Sequence, residues 1–359
     1  MKHFKSIISA LALTALAFAL TGCGGGQTNG GESPDGSGAA EHQWRMASTW
    51  NETDPQGQGD AFFAQRVGEL TDGRVEITVY PSMQLGDPNK VLDSVRQGII
   101  EIAVMAPSSN VDSRFELATF PFAAENFEEA NALFYTNDSF WNQYMDDVFS
   151  DIGLVRLANI DNDFRGINTF DKPVTKPEDL KGLLIRESGY APYQAFYAAC
   201  GASVTTVPFS ELYTALEKGL CDAQDNGPLN TFANKFYEAA PYYTYLQQAY
   251  SITFDVINKS LYESLPADIQ DALKQAGQEA QDYVNDIIQG GYADDILQQM
   301  RDAGVNVITK EDIDPADYER FREMGMAVWA DFEDEIGSDI LQKMYEFKET
   351  GEAGGELSA

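Results

Sequence analysis

The sequence predicts an α/β protein of two similar lobes, each built on a mostly parallel sheet. Three observations predict it. Apolar residues alternate at a period of two, switch to helical spacing, then switch back, giving strand, helix, strand. The same order recurs in the second half of the chain. The stretches VRQGIIEIA and LEKGLCDAQ also share one pattern: helix end, Gly, apolar residue, any residue, acid, then strand.

Taken in order, residues 43–48 read as the first strand. Residues 60–70 place Phe63, Val67 and Leu70 on one helical stripe, with Gly73 positioned to end it. Val75, Ile77 and Val79 alternate as in a strand. Residues 88–97 form a helix with Pro88 at its start and Gly98 beyond its end, and 99–105 are a nearly continuous apolar strand. A further strand covers 154–160. The second run begins with a strand at 183–186 and a helix at 190–200 ended by Gly201. A strand follows at 203–207, then a helix capped by Ser210 and ended by Gly219, then a strand at 220–224. Residues 243–257 are long, aromatic and β-rich, which suits a segment bridging both lobes. Residues 260–301 are mostly helical, broken at Pro266 and at Gly290-Gly291. An edge strand fits 305–308, Asp314-Pro315 opens the last helices, and 351–359 are expected to fray.

Composition narrows function by exclusion. A hydrophobic content of 43% demands a packed core. The 57 acidic against 24 basic side chains, a net charge of -33, exclude nucleic acid as a partner and electrostatic adhesion to anionic lipid. The two histidines, His3 and His42, fall in the export segment and the tether that follows it, so the folded body offers no Ser-His-Asp triad and no His-ligated zinc. Cys-x-x-Cys and Gly-rich phosphate-binding motifs are absent from the sequence. No cofactor or metal is expected. Chemistry by carboxylates alone, as in glycoside hydrolysis, stays open.

Residues 1–22 read as a signal peptide. Lys2 and Lys5 precede an apolar stretch at 7–20 that is short for a membrane span. Leu20-Thr21-Gly22-Cys23 resembles the bacterial lipobox, in which the cysteine is lipidated and becomes the new N-terminus. Residues 23–42 then form a flexible Gly-rich tether. The expected location is the outer face of the cytoplasmic membrane, with the N-terminal lipid as the membrane contact. Cys200 and Cys221 remain in an oxidising compartment, where a disulfide and two buried thiols are both open.

In open parallel sheets, ligands sit beyond the carboxyl ends of the strands. Trp50 and Asn51 follow the first strand, and Ser108 follows the strand at 99–105. Arg186, Phe209 and Asn226 occupy the corresponding places in the second run, and Arg165 follows the strand at 154–160. These types suit a carboxylate ligand: arginine gives a planar fork, asparagine a donor, phenylalanine an apolar cover. Each also has a plainer role. Arg186 can pair with an internal acid, Arg165 with Asp161 or Asp163, Phe209 can belong to the core, and Asn226 to a turn.

The stretches KPVTKPEDLKGLLIRES, CGASVTTVPFSELYTALEKGLCDAQDN and GRVEITVYPSMQLGD resemble the solute-binding proteins of tripartite ATP-independent periplasmic (TRAP) transporters. The resemblance runs from about residue 43 into the final helices. It implies two lobes around a ligand cleft, joined by hinge strands and one long strand shared by both. On that plan lobe I takes 43–163 and 252–291, and lobe II takes 164–251 and 292–350. The family's carboxylate-binding arginine, in a Gly-Leu-Lys-Ile-Arg motif, falls on Arg186, although Leu184 replaces the lysine. The Asn of Asp-Gly-Gln-Glu-Asn falls on Asn226, the aromatic before Ser-Glu-x-Tyr on Phe209, and a second arginine on Arg165. The implied function is an extracytoplasmic receptor, a monomer and not an enzyme, that hands a small organic acid to membrane permease subunits. A sugar or peptide receptor for an ATP-driven importer and a secreted carboxylate-based hydrolase are the alternatives. Dicarboxylates, 2-oxo acids, sugar acids and aromatic acids all present a carboxylate to one arginine, so the residues name no single ligand.

Overall fold

β1 (His42–Ala47) lies between β2 (Val75–Tyr80) and β3 (Ile102–Met105) and runs parallel to both. The helices Pro55–Leu70 and Pro88–Arg96 return the chain to the same end each time, which is what makes these strands parallel. The computed structural model describes residues 40–355, so the signal peptide, Cys23 and residues 23–39 of the tether lie outside the described residues. His42, assigned to the tether, begins β1 instead.

β4 (Leu154–Phe164) and β10 (Tyr250–Asn258) complete this first sheet, in the order β2-β1-β3-β10-β4. Alternation divides its two faces. Met46, Ile102 and Val104 join Trp44, Phe63 and Val67 beneath the first helix, and Ala47, Ala103 and Met105 face a cluster containing Phe115, Trp141 and Phe254. The second sheet has the order β11-β9-β5-β8-β6-β7. Its strands are β5 (Gly166–Thr169), β6 (Leu184–Glu187), β7 (Ser203–Thr206), β8 (Ala223–Asn226), β9 (Tyr242–Tyr245) and β11 (Asn306–Thr309).

The two-sheet α/β architecture is the one the sequence predicts, but the sheets are mixed rather than mostly parallel. Units with a helix between strands are parallel, as at β6, β7 and β8. Antiparallel pairing enters where the chain passes between sheets. β4 continues into β5 through Arg165, and β9 continues into β10 through residues 246–249, so outgoing and returning strands lie side by side in each sheet. The segment expected to be one long strand over 243–257 is therefore two strands, one per sheet. The crossings are tied together: Arg165 N donates to Ala249 O at 2.9 Å, and Gln247 N donates to Arg165 O at 3.0 Å. Asp163 and Gln247 flank them with φ of 62° and 58°, a left-handed backbone that non-glycine residues seldom adopt.

One alternative left open is decided, and two further expectations change. A disulfide between Cys200 and Cys221 does not form, and both are buried thiols. The crossover from β6 to β7 steps outward and the one from β7 to β8 steps back past β6; with right-handed crossovers their helices cover opposite faces of the sheet. Cys200 accordingly packs with Ile185 and Phe196, and Cys221 with Leu212 and Phe236. Ser210 does not cap the following helix, since it lies inside a 3-10 turn, Phe209–Glu211, that precedes Leu212–Glu217. The tail is docked over 351–355 rather than frayed: Phe140 N donates to Ala353 O at 2.9 Å, and Ala353 is buried. Trp329 and Met344, assigned to lobe II, share one core cluster with Phe115 and Trp141.

Candidate functional site

Arg186 sits near the carboxyl end of β6 and is 1% exposed. Strand alternation turns it, with Leu184, toward the face of the Leu212–Glu217 helix. Its Nε and Nη2 both donate to Val207 O, at 2.9 and 2.6 Å, and Nη1 donates to Ser188 Oγ at 3.1 Å. Both acceptor atoms are neutral. Of five N–H donors, one on each terminal nitrogen is left unclaimed. Burial therefore pulls the guanidinium below its ordinary pKa; Glu187 and Asp225 oppose that shift and Arg165 adds to it. Val207 O and the chain around it shield the guanidinium from water.

Val207 leads through Pro208 into Phe209, so the segment whose carbonyl holds Arg186 also carries the aromatic. Phe209 is 37% exposed, with its ring edge-on to Phe236 at a centroid distance of 5.7 Å. Asn226 ends β8, the neighbouring strand. Its Nδ2 donates to Gln224 Oε1 at 2.5 Å, and its carbonyl accepts from Tyr243 OH at 2.9 Å. It is a buried strand residue, not a turn residue.

Arg165 is also buried, but its charge is met. Its Nε donates to Asp225 Oδ1 at 3.1 Å, its Nη2 donates to the same oxygen and to Asp225 O at 2.7 Å, and its guanidinium lies 5.2 Å from the Tyr193 ring centroid. Asp225 is held from its other side by Tyr197 OH at 2.7 Å and Gln248 Nε2 at 3.4 Å. Burial opposes the Arg165 charge, yet Asp225 outweighs it and leaves the pKa raised. The candidate partners Asp161 and Asp163 are engaged elsewhere: Asp161 Oδ1 accepts from Asp163 N, and Asp163 Oδ1 accepts from Tyr245 OH. Burial lifts Asp161 to about 6 and Asp163, with help from the Asp161 charge, to about 7.

Glu187 faces the Arg165 side. Its Oε2 accepts from Gly189 N and Tyr190 N at 2.5 and 2.7 Å, while Oε1 is buried without a donor. Burial, then the Asp225 charge, raise it to about 7 against the pull of Arg165.

The opposing wall is less convergent. Trp50 is buried in the first sheet's core, with Nε1 lacking an acceptor. Asn51 is exposed and bound to Asp54 and Ser82. Ser108 is half-buried, and its carbonyl accepts from Val111 N at 3.0 Å. Arg186, Phe209 and Asn226 thus share one end of the second sheet, Arg165 lies at the crossing between the sheets, and Trp50, Asn51 and Ser108 belong to loops after β1 and β3. Asp225, Glu187, Tyr197 and Gln248 were missed. Asp225 stands beside Asn226 in DAQDN, but its role depends on β5 pairing with β8, with Gly166 opposite Asn226.

The DctP family model, bacterial extracellular solute-binding protein family 7, matches residues 46–335. The C4-dicarboxylate-binding periplasmic protein DctP of Rhodobacter capsulatus is 30% identical over 255 residues, which is 70% of this chain and 74% of that protein. The 2,3-diketo-L-gulonate-binding periplasmic protein YiaO of Escherichia coli (strain K12) is 30% identical over 280 residues, 76% of this chain and 83% of that one. A crystal structure of a TRAP periplasmic solute binding protein from Ochrobactrum anthropi, with a C-terminus bound in the ligand-binding pocket, matches with a TM-score of 0.78. It is 27% identical and covers 88% of this chain and 97% of its own.

Proposed function

The chain belongs to the bacterial extracellular solute-binding proteins of family 7, the TRAP receptors, and on that premise we propose that it binds a small organic acid by gripping its carboxylate with Arg186. One observation carries the reading. Arg186 is a buried cation whose bonded partners are all neutral. An unpaired buried charge is costly, and an arriving carboxylate relieves it with two parallel hydrogen bonds to the unclaimed N–H groups. Phe209 then covers the apolar part of the ligand and Asn226 lies alongside. The receptor does no chemistry on its cargo. It delivers the acid to the membrane permease subunits of a TRAP-type secondary transporter, as a monomer tethered through lipid on Cys23. The dicarboxylate and keto-sugar-acid specificities named for DctP and YiaO mark the range of acids to try.

A thermal-shift screen against organic acids tests this, followed by calorimetric titration of wild type and Arg186→Ala. A ligand at about 1,000 times its Kd adds roughly 4 kcal/mol of stability. Absence of any stabilising acid, or equal affinity in the variant, defeats the proposal.

A further inference from the structure

Four buried charged side chains meet at this end of the second sheet: Arg165, Arg186, Asp225 and Glu187. Two are cations and two are acids, so the cluster is balanced before a ligand arrives. Asp225 has its donors, from Arg165 Nε, Tyr197 OH and Gln248 Nε2. Glu187 is only half provided for. Its Oε2 accepts from Gly189 N and Tyr190 N, while Oε1 is buried with no donor. We infer that Glu187 couples capture to the uptake of a proton: as a ligand carboxylate reaches Arg186, Oε1 takes one proton from solvent and the side chain becomes neutral. The inference rests on the reading that Arg186 binds that carboxylate.

A third negative charge beside two guanidiniums leaves one charge in excess where water does not reach, and a buried acid relieves such an excess by taking a proton. The proton goes to Oε1 because two N–H groups already hold Oε2. One O–H bond forms, and no bond of the ligand breaks. Glu187 is next to Arg186 in β6, and of the charges acting on that guanidinium its own is the strongest. The groups around it come from every neighbouring element. Asp225 on β8 and Arg165 at the crossing act on it most. Tyr190, Tyr193 and Tyr197, on the helix Ala191–Ala199 and at its N-cap, are phenols that burial keeps protonated. Thr206, its pair on β7, is uncharged. Glu116, on the 3-10 helix Ser113–Thr119 packed against the same helix, is met by Ser109, Thr119 and Ala191 N. Asp161 and Asp163 on β4 add only negative charge. Burial and the Asp225 charge already lift Glu187 to about 7, and a ligand carboxylate lifts it further. The complex then keeps its proton at pH values where the free receptor has lost it, so affinity falls as pH rises past about 7.

The test uses the whole exported protein with fumarate, D-galacturonate, D-gluconate and pyruvate, acids whose carboxylates stay ionised across the pH range used. The tightest binder is titrated calorimetrically at about pH 7.5 in Hepes and in Tris, whose ionisation heats differ, so that the difference in heat counts the protons taken up. About half a proton or more per ligand is expected, with Kd rising about tenfold from pH 6.5 to pH 8.5. Glu187→Gln is neutral throughout. Its Kd should move less than about twofold over that range and be at least about fivefold tighter than wild type at the upper end. A melt checks that the variant is folded. No proton uptake by wild type overturns the inference, and it leaves the receptor reading intact if Arg186→Ala still abolishes binding. A folded Glu187→Gln that keeps the wild-type pH dependence, or binds more weakly at every pH, also overturns it. If Glu187→Gln does not fold, the wild-type uptake decides alone. Binding by none of the four acids, or binding untouched by Arg186→Ala, overturns the receptor reading and this inference with it.

Discussion

Arg165 and Asp225 are joined side chain to side chain across the junction of the two sheets, with Arg165 Nε 3.1 Å from Asp225 Oδ1. β5 begins one residue after Arg165, and its pairing with β8 brings Asp225 into reach. Both side chains are buried, and neither has water to fall back on. Removing one member of such a pair is far more damaging than the net worth of the pair, because the other stays charged and unmatched. The contrast with Arg186 organises the expectations below.

Arg186→Ala is expected to weaken binding of the acid found in the screen by about two to three and a half orders of magnitude, the cost of about 3–5 kcal/mol for a broken buried pair. Arg186→Lys should fail nearly as badly, since a point charge does not replace a planar fork. The unliganded melt should move little: the variant loses an uncompensated charge but leaves Val207 O without donors, worth roughly 1–3 kcal/mol. A clear loss of stability with affinity within about threefold would place Arg186 in the scaffold.

Gly166→Ala tests the junction. A Cβ there would lie 2.6 Å from Tyr243 OH and 2.7 Å from Thr244 O, closer than side chains approach. Tyr243 OH also donates to Asn226 O, so displacing it disturbs the strand that carries Asp225 and Asn226. We expect a destabilisation of about 1–3 kcal/mol by overpacking, with weaker ligand binding. Urea melts and one titration suffice, and a wild-type melt would show that the contact yields freely.

Stability should depend on pH through the buried pair Asp60 and Asp255. Burial lifts Asp60 to about 7, and burial together with the Asp60 charge raises Asp255 well above the ordinary carboxyl range. Such a group holds its proton in the folded state at pH values where the unfolded chain, with a pKa of about 4, has lost it. Its stabilisation is complete below about pH 4 and is lost as pH rises toward about 7. Asp60→Asn should flatten the wild-type dependence across that window by up to one proton, about 1.4 kcal/mol per pH unit. Denaturation at pH 5 and pH 8 reads this directly, and parallel curves would refute it.

The thiols give a simple check. Cys200 and Cys221 are buried on opposite faces of the second sheet, and burial pushes the Cys200 thiol up to about 12. Folded protein should react slowly with a thiol reagent, and its melting temperature should be the same with and without reductant. Unfolded, unreduced protein should titrate both thiols; finding neither would mean a bridge the fold does not accommodate.

The helix-linked parts of the fold were legible because their signals are local. Gly98, Gly201 and Gly219 each follow a helix and adopt positive φ, so glycine marked real stops. The passage between sheets was not legible in the same way. Asp163 and Gln247 adopt left-handed backbone without being glycine, and nothing in their identity announces it. Period and spacing gave Arg186, Phe209 and Asn226 their shared strand ends. The neighbours that decide their electrostatics, Asp225 and Glu187, are acids among 57, and only antiparallel pairing and a tight turn single them out. The mixed sheets were missed for the same reason: an antiparallel partner is chosen by distant chain, not by the strand's own residues.

Arg165 has a further consequence through its peptide group. Its N–H and C=O bind Ala249 and Gln247 on the returning chain, while its side chain grips Asp225 in the second sheet. One residue is thus bonded both to the returning chain at the crossing between the sheets and to the strand that carries Asn226. Turning one sheet against the other twists this peptide and so tilts the guanidinium against its carboxylate. By thermodynamic reciprocity, anything that strengthens that ion pair also biases the angle of the crossing. The sheet crossing and the buried ion pair therefore need no relay between them.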